Sequence, residues 1–188
     1  MKKIKLIFII LFSILFSSHS SSDELSYLFL KLKNAENFSE AKNLEKKIWN
    51  LWTTNGSIKK NNLEMKKGIK FFNNGDLKNA LKVFLHLCKV EPQWAEPFNK
   101  VATIRFLQKD YFTSIKYLEL TLEKEKRHFG AISGLAQINL RLGRFENALK
   151  KIDQALKIHP FIEIKKLKPF LLEKLNKKYI NFHLYFIS

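Results

Sequence analysis

The side chains that could catalyse a reaction or hold a metal ion are widely separated in this chain of 188 residues. Its five histidines are His19, His86, His128, His159 and His183. No two of them have the spacing of zinc ligands. Ser133 lies in the stretch GAISG (130–134), which imitates the Gly-x-Ser-x-Gly of hydrolases but opens a predicted helix. The sequence has no glycine-rich phosphate loop. We therefore expect no enzyme activity, no cofactor and no metal site.

The lone cysteine, Cys88, cannot form a disulfide within the chain. It falls in a run with helical apolar spacing, together with Phe84 and Leu87. Such a position predicts a buried thiol of low reactivity.

Basic residues outnumber acidic residues by 34 to 17, so the formal net charge is +17. A charge of this size attracts polyanions, because lysines that bind phosphates release counterions. The lysines are spread along nearly every predicted helix, however, and are not gathered on one stripe. Nucleic acid is therefore not expected as the partner, whereas an anionic membrane surface remains an alternative.

The first twenty residues have the composition of a secretory signal peptide. Three lysines within the first five residues precede an apolar run over 6–16, and small Ser18 and Ser20 suit cleavage before Ser21. The run is shorter than the roughly 20 residues that span a bilayer. Cleavage and a periplasmic location are expected, and retention of the segment as an anchor is the alternative.

A 34-residue period runs through the middle of the chain. It aligns Gly75 with Lys109 and Gly143, Ala80 with Ser114 and Ala148, Phe84 with Leu118 and Ile152, and Pro92 with Lys126 and Pro160. This period is typical of a helix–turn–helix solenoid. Small residues are expected where the two helices of a repeat cross, and the large apolar ones between neighbouring repeats.

Apolar spacing and turn residues predict three helix pairs, each with a helix A and a helix B. The predicted bounds are 61–73 and 76–90, 95–107 and 110–124, and 129–141 and 144–158. Solenoid ends need caps, since one hairpin cannot bury its own apolar face. A helical hairpin at 22–33 and 38–53 and a helix at 161–177 are the predicted caps.

These features predict four regions. They are a signal peptide (1–20), an N-terminal hairpin cap with its loop (21–57), three repeats (58–160, divided at about 61–94, 95–128 and 129–160), and a C-terminal capping helix with an apolar tail (161–188). The tail is too short to span a membrane. It packs on the last helix, contacts lipid or a partner, or is disordered.

The repeats resemble tetratricopeptide (TPR) repeats. Small residues at the helix crossings, glycine in the turn and proline after helix B occur in repeats one and three, whereas Ser114, Thr121 and Lys126 replace the usual alanines and proline in repeat two. The resemblance implies an all-α solenoid with a concave groove lined by the A helices.

A closer resemblance concerns three short segments. The stretch AEPFNKVAT (95–103) is similar to AE-x-WNKRAT, RHFGAISGL (127–135) is similar to RHFGAL-x-GL, and Ile48, Trp49 and Trp52 form an IW-x-x-W pattern. These segments occur in a family of small exported TPR proteins from alphaproteobacteria. This resemblance implies an exported repeat protein and no particular activity.

The groove positions of TPR repeats place nine residues in a partner-binding site. They are Met65, Ile69 and Phe72 in repeat one, Asn99, Thr103 and Phe106 in repeat two, and Gln137, Leu140 and Arg141 in repeat three. Amide side chains at these positions can hydrogen-bond a peptide backbone. Phe72, Phe106 and Leu140 form either an apolar ladder in the groove or packing between helices A and B.

We therefore expect a non-enzymatic scaffold or adaptor that holds a peptide or protein partner in the bacterial envelope. By analogy of fold alone, it would serve assembly of the outer membrane, the peptidoglycan or the division machinery. The alternative is a peripheral membrane protein that uses its basic surface and apolar tail.

Overall fold

The computed structural model describes the backbone of residues 20–187 and the side chains of residues 23–177. Over this range the chain forms nine α-helices, one 3-10 helix and no strand. The α-helices are α1 (Ser20–Lys33), α2 (Phe38–Thr53), α3 (Lys59–Asn73), α4 (Leu77–Val90), α5 (Ala95–Leu107), α6 (Tyr111–Lys124), α7 (Phe129–Arg141), α8 (Phe145–Leu156) and α9 (Lys168–Ile187). The all-α prediction is confirmed. The predicted signal peptide lies outside the described residues except for Ser20.

The chain divides into two compact units, one ending at Leu51 and the other beginning at Trp52. In the first unit, α1 buries Leu28 and Leu32, and α2 buries Ala41 and Ile48. These residues follow the spacing of an amphipathic helix. The turn between the helices ends at Asn37, whose side-chain oxygen accepts a hydrogen bond from the Glu40 N–H at 3.0 Å. This bond satisfies a backbone donor at the start of α2.

In the second unit, α3 to α8 form three consecutive helix pairs. The two helices of a pair approach closely where the sequence has small residues. A Cβ added to Gly68 of α3 would lie 2.6 Å from Cε1 of Phe84 on α4. In the next pair, the hydroxyl of Ser114 donates to the carbonyl oxygen of Ala102 at 2.8 Å. A larger side chain at either crossing would therefore push the paired helices apart.

Large apolar residues of each helix B pack against the helix A that follows. Phe84 and Leu87 of α4 share a buried core with Val101 and Ile104 of α5. Leu118 of α6 occupies the equivalent place against α7, in a core with Ala131, Leu135 and Ile138. The repeats thus bury their apolar faces on one another, as a solenoid requires.

The turns between helices A and B share a left-handed residue. Gly75 has φ 78°, Gly143 has φ 69° and Lys109 has φ 62°. Glycine adopts this conformation without strain, whereas a side chain with a Cβ does not. Asp76 and Asp110 follow two of these residues and cap α4 and α6 through their carboxylates. Lys109 is therefore the strained member of the series.

Replacing Lys109 with glycine is expected to stabilise the protein by about 0.5 kcal/mol. The left-handed conformation costs a non-glycine residue roughly 1–2 kcal/mol, part of which is offset by the greater entropy that glycine loses on folding. Urea unfolding measures the change. The matched control is Lys116→Gly at an exposed site within α6, which is expected to destabilise by about 1 kcal/mol. Destabilisation by both substitutions would contradict the strain at Lys109.

The C-terminal region differs from its predicted layout. A 3-10 helix (Glu163–Leu167) precedes α9, which begins at Lys168 and continues to Ile187. Pro169 lies in the first turn of α9, where proline is tolerated because that N–H has no helical partner. Leu171 and Leu175 of α9 are buried. The predicted tail therefore continues this helix, and its side chains from residue 178 onwards lie outside the described residues.

Candidate functional site

A narrow groove lies between the A helices of repeats two and three, α5 and α7, with α6 behind it. Its cavity has a volume of about 120 Å³. The lining residues are Asn99, Ala102, Thr103 and Phe106 of α5, Ser114 and Leu118 of α6, and Gly130, Gly134, Gln137 and Ile138 of α7. Small-molecule sites usually have about 300–1,000 Å³. The groove therefore suits a side chain or a short stretch of peptide better than a drug-sized ligand.

Two glycines on α7 leave that side of the groove without large side chains. Gly130 and Gly134 are one helical turn apart, so they lie on the same face of α7. A Cβ added at Gly134 would lie 3.1 Å from both methyl groups of Leu118. A side chain at position 134 would therefore displace Leu118. The absence of side chains at both glycines leaves space between α5 and α7.

The polar groups in the groove are uncharged. Thr103 donates its hydroxyl proton to the backbone carbonyl of Asn99 at 2.9 Å, so its oxygen keeps capacity to accept a further bond. Gln137 is exposed at the edge of the cavity. Its amide offers donors and an acceptor. These groups could hydrogen-bond a peptide backbone, whereas a charged ligand would find no counter-charge among them.

Four of the nine predicted site residues line this cavity: Asn99, Thr103, Phe106 and Gln137. The ring of Phe106 is also 5.7 Å from that of Tyr111 on α6. The sequence left open whether Phe106 lies in the groove or packs between helices A and B. It does both, because it lines the groove and contacts helix B of its own repeat.

The residues predicted for repeat one lie elsewhere. Met65 is fully buried in the core that joins repeats one and two, so its side chain is not accessible to a groove partner. Ile69 and Phe72 are partly buried against the same core. The physical reason is that these apolar side chains are held beneath α4 and α5. In repeat three, Leu140 is half-buried and Arg141 is exposed, and neither lines the cavity.

Beneath the groove lies a buried polar network centred on Glu96 of α5. Its Oε2 atom accepts hydrogen bonds from Nε2 of His128 at 2.9 Å and from Nδ2 of Asn99 at 3.2 Å. Nζ of Lys100 lies 3.0 Å from the Oε1 atom of Glu96. Nδ1 of His128 accepts from the Ala131 N–H at 3.1 Å. Since Nδ1 is an acceptor, the proton of a neutral His128 ring is on Nε2 and points to the carboxylate.

The charge of Glu96 is maintained by its neighbours. Burial opposes ionisation, but the nearby Lys100 and the hydrogen bond from His128 outweigh it and hold the pKa of Glu96 below its usual value of 4.5. The carboxylate is therefore ionised at neutral pH. It joins the start of α5 to the start of α7, and its hydrogen bond from Asn99 also orients one side chain of the groove.

Aromatic rings cover this network. The Trp52 ring stacks on His128 with centroids 3.9 Å apart and an angle of 6° between planes. Trp52 also accepts a hydrogen bond at its carbonyl oxygen from Nε1 of Trp94 at 2.6 Å. The ring of Phe129 lies 4.9 Å from that of Trp52. Trp52, the first residue of the second unit, is thus packed with residues at the starts of α5 and α7.

The sequence indicated no such network. Glu96 and His128 fall in the two segments that carry the closer resemblance, and His128 is also one of the five widely separated histidines. Their contact joins positions 32 residues apart. The available signal was an acidic residue in the first turn of a helix A, directly before Pro97 and Phe98, because such a residue needs a partner once it is buried.

A second cavity of about 530 Å³ lies between α8 and α9. Its lining combines Leu149 and Leu175 with charged residues of α8, among them Glu146, Lys150 and Asp153. Near it, Lys168 donates to Asp153 at 2.7 Å. This cavity contains none of the nine predicted site residues, and the side chains of α9 after residue 177 are not described. The groove between α5 and α7 is thus the better defined site.

The part of the chain that the structure describes has neither a grouped set of metal ligands nor a helix suited to span a bilayer. Within that range, no three His, Cys, Asp or Glu side chains are grouped closely enough to hold a metal ion. None of the helices in the same range combines the length and hydropathy needed to cross a membrane.

Cys88 is expected to react slowly with alkylating agents in the folded protein. Burial raises the pKa of its thiol from 9.0 to about 12, which reduces the thiolate fraction near neutral pH roughly a thousandfold. Iodoacetamide labelling followed by intact mass measures the rate, and the urea-unfolded chain is the control. Equal rates for the folded and unfolded chains would contradict this prediction.

Comparison with known proteins identifies the family. No family model matches the chain. A TPR repeat-containing protein of Rhizobium etli is 31% identical over 144 residues, which cover 77% of this chain and 70% of the relative.

Solved structures with the same fold share little sequence. The first TPR of Spaghetti (RPAP3), bound to the HSP90 peptide SRMEEVD, has a TM-score of 0.58 and 17% identity, over 62% of this chain and 93% of that chain. MamA has a TM-score of 0.50 and 16% identity, over 84% of this chain and 89% of that chain. Both support the solenoid fold that the 34-residue period predicts. Together with the identity to the Rhizobium relative, this fold shows that the chain belongs to the TPR repeat proteins.

Proposed function

We propose that this protein is a non-enzymatic adaptor that binds a peptide segment of a partner protein in the groove between α5 and α7. The observation that carries the proposal is the set of uncharged hydrogen-bonding groups beside the apolar Phe106. Such a combination suits an extended backbone with an apolar anchor. TPR proteins generally act as protein-binding scaffolds, and the RPAP3 TPR is bound to a peptide.

The chemistry of the groove argues against an acidic C-terminal tail as the ligand. TPR proteins that bind such tails use a clamp of basic and amide side chains. The corresponding positions here hold Met65 and Ile69 in repeat one and Gly130 and Gly134 in repeat three. Met65 is buried, and none of the four carries a charge. We therefore propose an uncharged or weakly charged peptide segment.

Export to the bacterial envelope is the second part of the proposal. It rests on the basic start, the apolar run and the small residues of positions 1–20. Cell fractionation and the intact mass of the mature chain test it. A periplasmic protein that begins at Ser21 would support export, whereas a full-length chain in the cytoplasm would contradict it.

The groove is tested by photocrosslinking in cells. A photoreactive amino acid replaces Gln137 at the edge of the cavity, and a control chain carries it at exposed Glu119 on α6. One envelope protein is expected to be captured from position 137 and not from position 119. Capture should be lost in Phe106→Ala and retained in Phe112→Ala, since Phe112 is 85% exposed and does not line the groove.

Two results would count against the groove. Equal capture from positions 137 and 119 would show that binding is not confined to it. No captured protein, together with pelleting of the chain with membranes, would instead favour the peripheral membrane alternative. Circular dichroism of each variant separates a lost contact from lost folding.

A further inference from the structure

The helix A of repeat one, α3, exposes a basic face. This lysine face consists of Lys60, Leu63, Lys67 and Lys70, with Lys59 and Lys66 beside them. Leu63 lies among the lysines and is 56% exposed. The helix has five lysines and a single acidic residue, Glu64. The expectation that the lysines are not gathered on one stripe is thus wrong for α3, because its helical period gathers them on one side.

The same face is buried in the next two repeats. A shift of 34 residues aligns positions 60, 63, 67 and 70 with Trp94, just before α5, and with Pro97, Val101 and Ile104 of α5. A second shift aligns them with His128, just before α7, and with Ala131, Leu135 and Ile138 of α7. All eight of these residues are buried. On α5 this face contacts Phe84 and Leu87 of α4, and on α7 it contacts Leu118 of α6.

The alignment with α5 and α7 shows which packing role this helix face has in the other two repeats. On α5 and α7 it receives the helix B of the preceding repeat. On α3 the same face is exposed and lysine-rich. A polar face keeps a solenoid soluble, and a single exposed leucine is ordinary on a protein surface, so the charge of the face is the feature that indicates a partner.

The charges on the face are not neutralised by the rest of the described chain. Over residues 23–177, none of the five lysines takes part in an ion pair. Lys60, Lys67 and Lys70 are one or two helical turns apart, which matches the spacing of carboxylates along one side of another helix. The face therefore combines a helix-binding register with an unmatched positive charge.

We propose that the lysine face binds an acidic amphipathic helix of another protein, seated as α4 is seated on α5. Its carboxylates would lie opposite Lys60, Lys67 and Lys70, and its apolar side chains would cover Leu63. A second copy of this chain is disfavoured, because both copies carry a net charge of +17. A bilayer is disfavoured, because helices that lie in a membrane present a broad apolar face, whereas this face offers only Leu63. The surface is distinct from the groove, to which α3 contributes no residue.

The test is photocrosslinking from position 63 of the full-length chain, in the cells that produce it, with mass spectrometry of the crosslinked peptides. The first variant is the triple substitution Lys60→Glu, Lys67→Glu and Lys70→Glu. The matched control makes the same change of charge at Lys78, Lys82 and Lys89, which are exposed on α4.

The expected product joins position 63 to a net acidic, helix-forming segment of one partner protein. Its yield should fall at least about tenfold in the α3 variant and less than about twofold in the α4 control, and should decrease as salt screens the charges. Capture of lipid, capture of a second copy of this chain, absence of any product, or equal losses in both variants would each overturn the proposal. Crosslinking from Gln137 should be unchanged in the α3 variant.

Discussion

Glu96→Ala is expected to lower the free energy of unfolding by about 2–4 kcal/mol, because two buried hydrogen-bond donors lose their acceptor while the Lys100 charge stays partly exposed to water. The carboxylate is fully buried, accepts hydrogen bonds from His128 and Asn99, and forms an ion pair with Lys100. Without it, the His128 Nε2–H and the Asn99 amide lose their acceptor. A buried donor left without a partner costs about 1–3 kcal/mol. The starts of α5 and α7 would also lose their direct connection.

Urea unfolding followed by circular dichroism measures this effect. The matched control is Glu123→Ala, since Glu123 is an exposed acidic residue of α6. A surface substitution of this kind is expected to change the free energy by no more than about 0.5 kcal/mol. A loss below about 1 kcal/mol for Glu96→Ala would mean that the network contributes little to folding.

The Glu96 carboxylate should also make the free energy of unfolding depend on pH. Lys100 and His128 lower the pKa of Glu96 in the folded protein below the value of 4.5 expected for the unfolded chain. The folded state is therefore stabilised when Glu96 is ionised. This stabilisation is complete above pH 4.5 and is lost as the pH falls through the folded pKa.

Comparison with Glu96→Gln isolates this contribution, because the other carboxylates titrate in both proteins. The difference in unfolding free energy between wild type and Glu96→Gln is expected to narrow below pH 4.5. Urea unfolding at a series of pH values measures it. A difference that stays constant, or that widens in acid, would contradict the role of the ionised carboxylate.

Phe84→Ala is expected to destabilise the protein by about 3–5 kcal/mol, as truncation of a fully buried phenylalanine usually does. Phe84 has no exposed surface and belongs to the core shared by repeats one and two. It also lies against the backbone of α3 at Gly68, where an added Cβ would be 2.6 Å from its ring. The loss thus includes both a cavity and the contact that sets the distance between α3 and α4.

A double-mutant cycle measures the interaction between positions 68 and 84. Gly68→Ala should destabilise the wild type, because Phe84 must move to make room for the added methyl group. In the Phe84→Ala background that clash is absent, and alanine should stabilise the α3 helix by about 0.5–1 kcal/mol. Urea unfolding of the four proteins gives the interaction free energy. If the two effects add within about 0.5 kcal/mol, the contact with Phe84 does not limit the size of the residue at position 68.

Much of the solenoid could be predicted from the chain alone. The predicted helix bounds at 95–107 and 129–141 are those observed, and the remaining repeat helices differ by at most two residues at either end. The reason is that helix spacing, the left-handed turn residues and the small crossing residues act within one repeat or between neighbours. The start of α9 was missed, because the 3-10 helix before it has no periodic apolar pattern long enough to separate it from an α-helix.

The candidate site was predictable only in part. The TPR groove positions led to Asn99, Thr103, Phe106 and Gln137, which line one cavity. They also led to Met65, which is buried. A repeat pattern treats equivalent positions as alike, whereas their exposure depends on which neighbours each repeat has.

The order of residues along the chain therefore determined the helices, their pairing and the close crossing at Gly68. Those features follow from a short period and from local stereochemistry. Only the tertiary structure decided that Glu96 and His128 meet beneath the groove and that the lysines of α3 are exposed where α5 and α7 are buried. The physical reason is that burial and charge pairing depend on contacts across repeats, and the 34-residue period specifies positions within a repeat but not the neighbours of each one.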